Sequence, residues 1–125
     1  MGLDMYLFRR TPLPDGAAKE VEVMYWRKAN QIRQWFNVHL GGIENTTEAP
    51  VTKENLEDLV TDCCAVLNDH SLAPTLMPTS RGFFFGGTEY DEWYFEDLEE
   101  TVNKLIKVIN EVDWDKDEVY YYEWW

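Results

Sequence analysis

Between Ser80 and Phe95 the chain gathers seven aromatic rings, three glycines and three carboxylates into sixteen residues. Glycines on both sides of Phe83-Phe84-Phe85 mark backbone that turns sharply or is closely approached. The run after them, with Thr88, Tyr90, Asp91, Glu92 and Tyr94, mixes rings with hydrogen-bonding groups as recognition surfaces do. Upstream, Trp26, Arg27, Lys28, Asn30 and Arg33 supply the one concentrated positive surface in the sequence. Joined to Arg81, Tyr90 and Tyr94 they would make a pocket for a planar anion such as a nucleotide, with rings that stack, guanidinium groups that hold phosphate and an Asn that reads an edge. The plainer alternative pairs Arg27 and Arg33 internally with some of the 24 acidic residues.

Catalytic chemistry finds less support. Glu89, Asp91, Glu92, Glu96 and Asp97 are hard oxygen ligands, but their spacing matches no calcium loop, and acids at a helix start complement its dipole. Paired carboxylates acting on a glycoside need an apolar cleft and one raised pKa, which sequence does not show. Ser71 and Ser80 lie in no nucleophile elbow, His39 and His70 stand far apart, and the glycines from 82 to 88 lack the lysine of a phosphate loop. The sequence therefore assigns no catalytic residue, no metal and no cofactor. A small enzyme acting on a nucleotide-like substrate stays open as a second alternative.

The formal net charge of −13 is uneven. Residues 1–40 carry six basic and four acidic side chains, and residues 41–125 carry five and twenty. Such a field repels nucleic acid and anionic membrane, and it favours either a basic partner surface or simple solubility. Glu96, Asp97, Glu99, Glu100 and Glu111, on the third predicted helix, would imitate a row of phosphates or form a plain solvated face. Adjacent Cys63 and Cys64 in a helical segment read as reduced small hydrophobes. No apolar run reaches membrane-spanning length and no signal-peptide core follows Met1, so the expected compartment is the cytoplasm.

These residues need elements to position them. Leu3, Met5 and Leu7 alternate with Asp4, Tyr6 and Phe8, predicting a strand over 2–10 with aromatics on its second face and buried on both sides. After Pro12, Pro14, Asp15 and Gly16 a short charged edge strand fits Lys19 to Val23. The spacing of Tyr25, Ala29, Ile32 and Phe36 predicts a helix from Met24 to Leu40, ended by Gly41 and Gly42. A polar loop follows to Pro50. Thr52 then caps a second helix with the stripe Leu56, Leu59, Val60, Cys63, Val66 and Leu67. Residues 68–80 read as connector and Phe83 to Phe85 as a short strand. The third helix starts between Tyr90 and Glu96 and carries Leu98, Val102, Leu105, Ile109 and Val112. Val119 to Trp125 reads as a strand that pairs with the first or closes the sheet, its two tryptophans alternatively reaching a second subunit to make a homodimer. The expectation is a single compact α+β domain over 1–125, with three helices on a small, mainly antiparallel sheet that includes both terminal strands.

Three blocks in this order, Met1-Gly2-Leu3-Asp4-Met5-Tyr6-Leu7, Tyr25-Trp26-Arg27-Lys28-Ala29-Asn30 with Trp35-Phe36, and Gly82-Phe83-Phe84-Phe85-Gly86 running into Thr88 to Tyr94, resemble a family of small phage and prophage proteins of unassigned function. Where those relatives carry a histidine after the Asn-x-Ile of the first helix, this chain has Arg33. The resemblance implies an accessory protein that binds and blocks a host factor, a defence or nucleic-acid-handling protein with a basic surface. The runner-up is a sponge that holds a nucleotide or other small anionic signal.

Overall fold

The structure, a computed structural model, describes residues 2–82 and 85–125. Strand β1 spans Asp4–Pro12 and β2 spans Ala18–Arg27, joined as a hairpin through the Pro14-Asp15-Gly16 turn. Helix α1, Asn30–His39, follows, then strand β3, Ala49–Val51, and helix α2, Lys53–Asn68. A 3-10 turn at His70–Leu72 leads into the single-turn helix α3, Ala73–Leu76. Helix α4, Glu92–Glu111, and strand β4, Glu118–Trp124, complete the chain. The strands form one antiparallel sheet in the order β2-β1-β4-β3, so the two strands nearest the chain ends pair at its centre.

This is the expected α+β architecture, with α3 as a fourth helix where a plain connector was expected. Edge strand β3 replaces the end of the predicted polar loop. Its Pro50 is tolerated because an edge position can leave a backbone donor out of the ladder. The predicted strand at Phe83 to Phe85 falls on residues outside those described, apart from Phe85, which is buried in a bend.

The largest correction lies at Met24 to Arg27. These residues belong to β2, paired with Asp4 to Leu7, and the helix begins only at Asn30. Tyr25, Ala29, Ile32 and Phe36 share a helical spacing by coincidence, since Tyr25 is 37 % exposed while the other three are buried. Strand pairing wins because Val21, Val23, Tyr25 and Trp26 suit a pleated ribbon. A left-handed backbone at Lys28, φ 55°, then separates strand from helix.

Helix α2 starts at the expected Thr52 cap, which the structure extends to a capping box with Asn55. Thr52 Oγ1 accepts from Asn55 N at 3.1 Å and Asn55 Oδ1 accepts from Thr52 N at 2.9 Å, an arrangement that stabilises a helix start by about 1 kcal/mol. The core fills the space between the helices and one face of the sheet. From the sheet come Leu3, Met5, Leu7, Trp26 and Tyr121, and from the helices Ile32, Phe36, Leu56, Leu59, Leu98 and Leu105. Cys63 is buried in it against Met77, Cys64 is half-buried, and both are free thiols. Burial pushes the Cys63 thiol well above its usual range, which leaves it inert as a nucleophile at neutral pH. Among the described residues no helix is long and apolar enough to cross a membrane.

Candidate functional site

Two surfaces collect chemistry-bearing side chains: a cleft at the start of α1 and α4, and the sheet face opposite the helices. The cleft, of about 350 Å³, begins where β2 ends. Lys28 N donates to Leu3 O at 2.7 Å and Asn30 N donates back to Lys28 O at 3.0 Å, which fixes the left-handed turn. Gly86, φ 81°, crosses so close that an added Cβ would stand 3.2 Å from Lys28 Cβ and 3.3 Å from Lys28 O. Only glycine combines that backbone with that approach.

Asn30 laces the glycine-rich segment to α1. Its Nδ2 donates to Phe85 O and Gly87 O, each at 2.8 Å, and its Oδ1 accepts from Ser80 N at 2.9 Å. Thr79 Oγ1 donates to Thr88 O at 2.9 Å across the same loop. On the opposite wall Asp91 caps α4, accepting from Tyr94 N at 3.1 Å, and Tyr94 directs its hydroxyl inward to Met77 O at 2.6 Å. Gln31, also buried, donates to Asp97 Oδ2 at 3.1 Å. Burial, together with Glu100, Glu96 and Asp91, pushes the Asp97 carboxyl up to about 6 despite the Gln31 hydrogen bond.

Of the residues singled out in the sequence, Arg27, Lys28, Asn30, Asp91 and Tyr94 do line this cleft. Asn30 is a staple, though, with its amide consumed by backbone and nothing left to read a ligand edge. Trp26 lies behind the wall, only 4 % exposed, donating from Nε1 to Thr101 Oγ1 at 2.8 Å and edge-on to Phe36. Arg81 and Glu92 are exposed and do not line the cleft, Thr88 lends only its carbonyl, and Tyr90 packs edge-on against Tyr94.

Arg33 departs furthest from expectation. It forms a 3.0 Å ion pair with Glu123, a β4 residue that is 0 % exposed. Tyr121 OH and Trp125 Nε1 donate to the same carboxylate at 2.7 and 2.6 Å, and the guanidinium stacks 4.7 Å from the centre of the Phe85 ring. The internal pairing weighed for Arg27 and Arg33 thus holds for Arg33. Neither Arg27 nor Lys28 makes an ion pair among the described residues. On α4, Glu96, Glu99 and Glu100 are exposed, but Lys104 pairs with Glu100 at 2.9 Å and Lys107 joins the same patch. Asp97 leaves that row for the cleft, so the phosphate-like line is short and interrupted.

The second surface did not figure among the sequence-derived site residues: β1 was expected to be buried on both sides, but only Met5 and Leu7 face the core, and Tyr6 and Phe8 on the other face are half-buried. Tyr6, Phe8, Tyr25, Tyr120, Tyr122 and Trp124 all project from the sheet face away from the helices. Tyr6 stacks on Phe8 at 5.4 Å and tilts against Tyr25 at 5.3 Å and Tyr122 at 6.4 Å, while Phe8 meets Tyr120 at 5.4 Å. Part of this face forms an open trough of about 620 Å³ reaching Glu20, Glu48 and Trp124, the last 61 % exposed. Asp4, Glu20, Glu22, Glu48 and Glu118 surround the rings. The cations are Arg27 at one corner and Arg10, which is paired with Glu20 at 2.7 Å, Glu48 at 2.9 Å and Glu118 at 3.6 Å.

The tyrosines register this field. The Asp4 carboxylate that accepts the Tyr25 hydroxyl, helped by burial, pushes that phenol up to about 12. Burial followed by Asp4 and Glu22 raises Tyr6, and burial followed by Glu20 raises Tyr120. The sequence signal was the period-two alternation with aromatics on the second face, visible in β1 and repeated in Tyr120, Tyr122 and Trp124 of β4.

Fold and surfaces together describe an α+β protein with a mixed-charge cleft and an uncovered, acid-rimmed aromatic sheet face. Among the described residues no three His, Cys, Asp or Glu side chains converge as metal ligands would. Compared with family models, with curated proteins and with solved structures, the chain matches none.

Proposed function

We propose that this protein is a binding module that takes a basic segment of a partner protein onto the helix-free face of its sheet. One observation carries the reading: six aromatic side chains lie on that face inside a ring of five carboxylates. Open antiparallel sheets with exposed rings also stack nucleic-acid bases, but those surfaces are basic, and phosphates here would meet Asp4, Glu20, Glu22, Glu48 and Glu118. A second copy of the chain would set the same carboxylates against each other. Arginine and lysine side chains suit both components, because rings attract the cation through their faces and the rim supplies counter-charges. The resemblance to phage and prophage proteins supports a host protein as partner, blocked by occupancy of its basic surface in the bacterial cytoplasm.

The test is calorimetric titration of the whole protein with an arginine- and lysine-rich peptide at physiological salt. Any protein this acidic attracts such a peptide weakly, so variants that keep the charge but remove rings are compared with one that removes charge from α4. Tyr122→Ala with Trp124→Ala should weaken binding by about tenfold or more, the loss of one or two ring contacts. Replacing Glu96, Glu99 and Glu100 by Gln should change it much less. The opposite ranking would move the partner surface to α4 and overturn the assignment.

A further inference from the structure

The cleft beside Lys28 has a different charge pattern from the sheet face, and the difference limits what it can hold. One wall is cationic: Arg27 and Lys28, at the β2–α1 junction, face the space without an ion-pair partner among the described residues. The other wall, formed by α4 and the loop before it, presents the carboxylates of Glu89, Asp91 and Asp97. Trp93 stands at the edge, 67 % exposed, with its ring open to stacking. A cation-lined pocket would take a nucleotide phosphate, but here three acids would repel a dianion, and a simple cation would meet Arg27 and Lys28.

The backbone is held in place for such a site. Lys28 keeps a left-handed conformation that is strained for a non-glycine residue, and strain of this kind gathers where a side chain must be aimed. The contacts of Leu3 O, Asn30 and Gly86 hold it there. Gln31 likewise fixes Asp97 from below. The volume lies near the lower end of small-molecule pockets, which suits a ligand of amino-acid or nucleoside size.

We infer that this cleft binds a small aromatic zwitterion: a planar ring against Trp93, an anionic group at Arg27 and Lys28, and an ammonium group at Asp97 and Glu89. Arg27 borders both this cleft and a corner of the sheet face, but neither claim needs the other. Calorimetry on the intact protein uses four probes: L-tryptophan, tryptamine with the amine alone, indole-3-acetate with the acid alone, and AMP as a planar dianion.

L-Tryptophan should bind saturably and about tenfold or more tighter than either half-molecule or AMP, because only the zwitterion satisfies both walls. Arg27→Ala and Asp97→Asn should each remove most of that advantage, tryptamine being insensitive to the first and indole-3-acetate to the second. Trp124→Ala, on the sheet face, should leave it unchanged. Affinity for L-tryptophan should rise as pH increases through about 6, where Asp97 ionises with Glu100, Glu96 and Asp91 beside it. Tighter binding of AMP would make the cleft an anion site, and absence of saturable L-tryptophan binding, or indifference to both variants, would overturn the inference.

Discussion

The two faces of the central strand pair carry the same assembly in opposite settings. On the covered face Arg33 pairs with Glu123 and stacks 4.7 Å from the Phe85 ring centre. On the open face Arg10 pairs with Glu20 and Glu48 and stacks 4.7 Å from that of Tyr120. Glu123 is 0 % exposed, whereas the Arg10 side chain retains 30 % and its partners more. Burial, not composition, therefore separates their roles. The inner assembly ties α1 to β4 and would leave a charge stranded if broken, while solvent weakens the outer one enough for a partner's cations to displace or join it.

Removing one side chain from each face gives the largest contrast. Tyr121→Ala should cost about 3–5 kcal/mol, the range for deleting a large buried aromatic. Trp124→Ala, three residues along the same strand, should stay within about 0.5 kcal/mol. Urea denaturation of both variants tests the assignment of faces, and equal costs would contradict it.

The ion pairs come next. Arg33→Ala leaves Glu123 uncompensated and should cost about 3–5 kcal/mol, against about 0–1 kcal/mol for Arg10→Ala. Raising salt should narrow the Arg10 effect and leave the Arg33 effect in place.

Asn30→Ala sharpens the picture at the cleft. It removes three hydrogen bonds to the segment from Ser80 to Gly87 and should cost about 1–3 kcal/mol through the unsatisfied partners left behind. Amide exchange at Ser80, whose N–H loses its acceptor, should accelerate, while exchange in β1 and β4 follows only the global loss.

The last effect concerns Asp97 and depends on pH. Its folded pKa of about 6 lies above the ordinary 3.8, so the folded state keeps a proton that the unfolded chain releases between those values. The stability contributed by that proton is present below the ordinary value and lost as pH rises through about 6. Asp97→Asn should therefore match the parent protein in acid and melt higher at neutral pH. Thermal melts at pH 3.5 and pH 7.5 check this, and a constant gap between the two proteins would show that burial of the charge is not the cause.

Much of this fold was legible in the sequence where a local signal coincided with a tertiary one. The alternation of Leu3, Met5 and Leu7, the Thr52 cap and the stripe from Leu98 to Val112 each point one way. The signal failed at Tyr25 to Arg27, where helical spacing and strand-forming residues overlapped and pairing with β1 decided. Five cleft residues were legible, Arg27, Lys28 and Asn30 through a concentrated positive surface and Asp91 and Tyr94 through the aromatic and polar run after the glycines. Arg33 and Asn30 misled as to role, since a cation or an amide looks alike in sequence whether it serves a ligand or a buried partner. The open aromatic face escaped because no sequence feature says which side of a sheet the helices will cover.

The most direct test of that face is a 1H–15N correlation spectrum of the labelled protein titrated with an arginine- and lysine-rich peptide. The account predicts shifts at Tyr6, Phe8, Tyr120 and Tyr122 and at the Trp124 indole, with the outer face of α4 unmoved. Shifts confined to Glu96, Glu99, Glu100 and their neighbours, with the sheet silent, would contradict it.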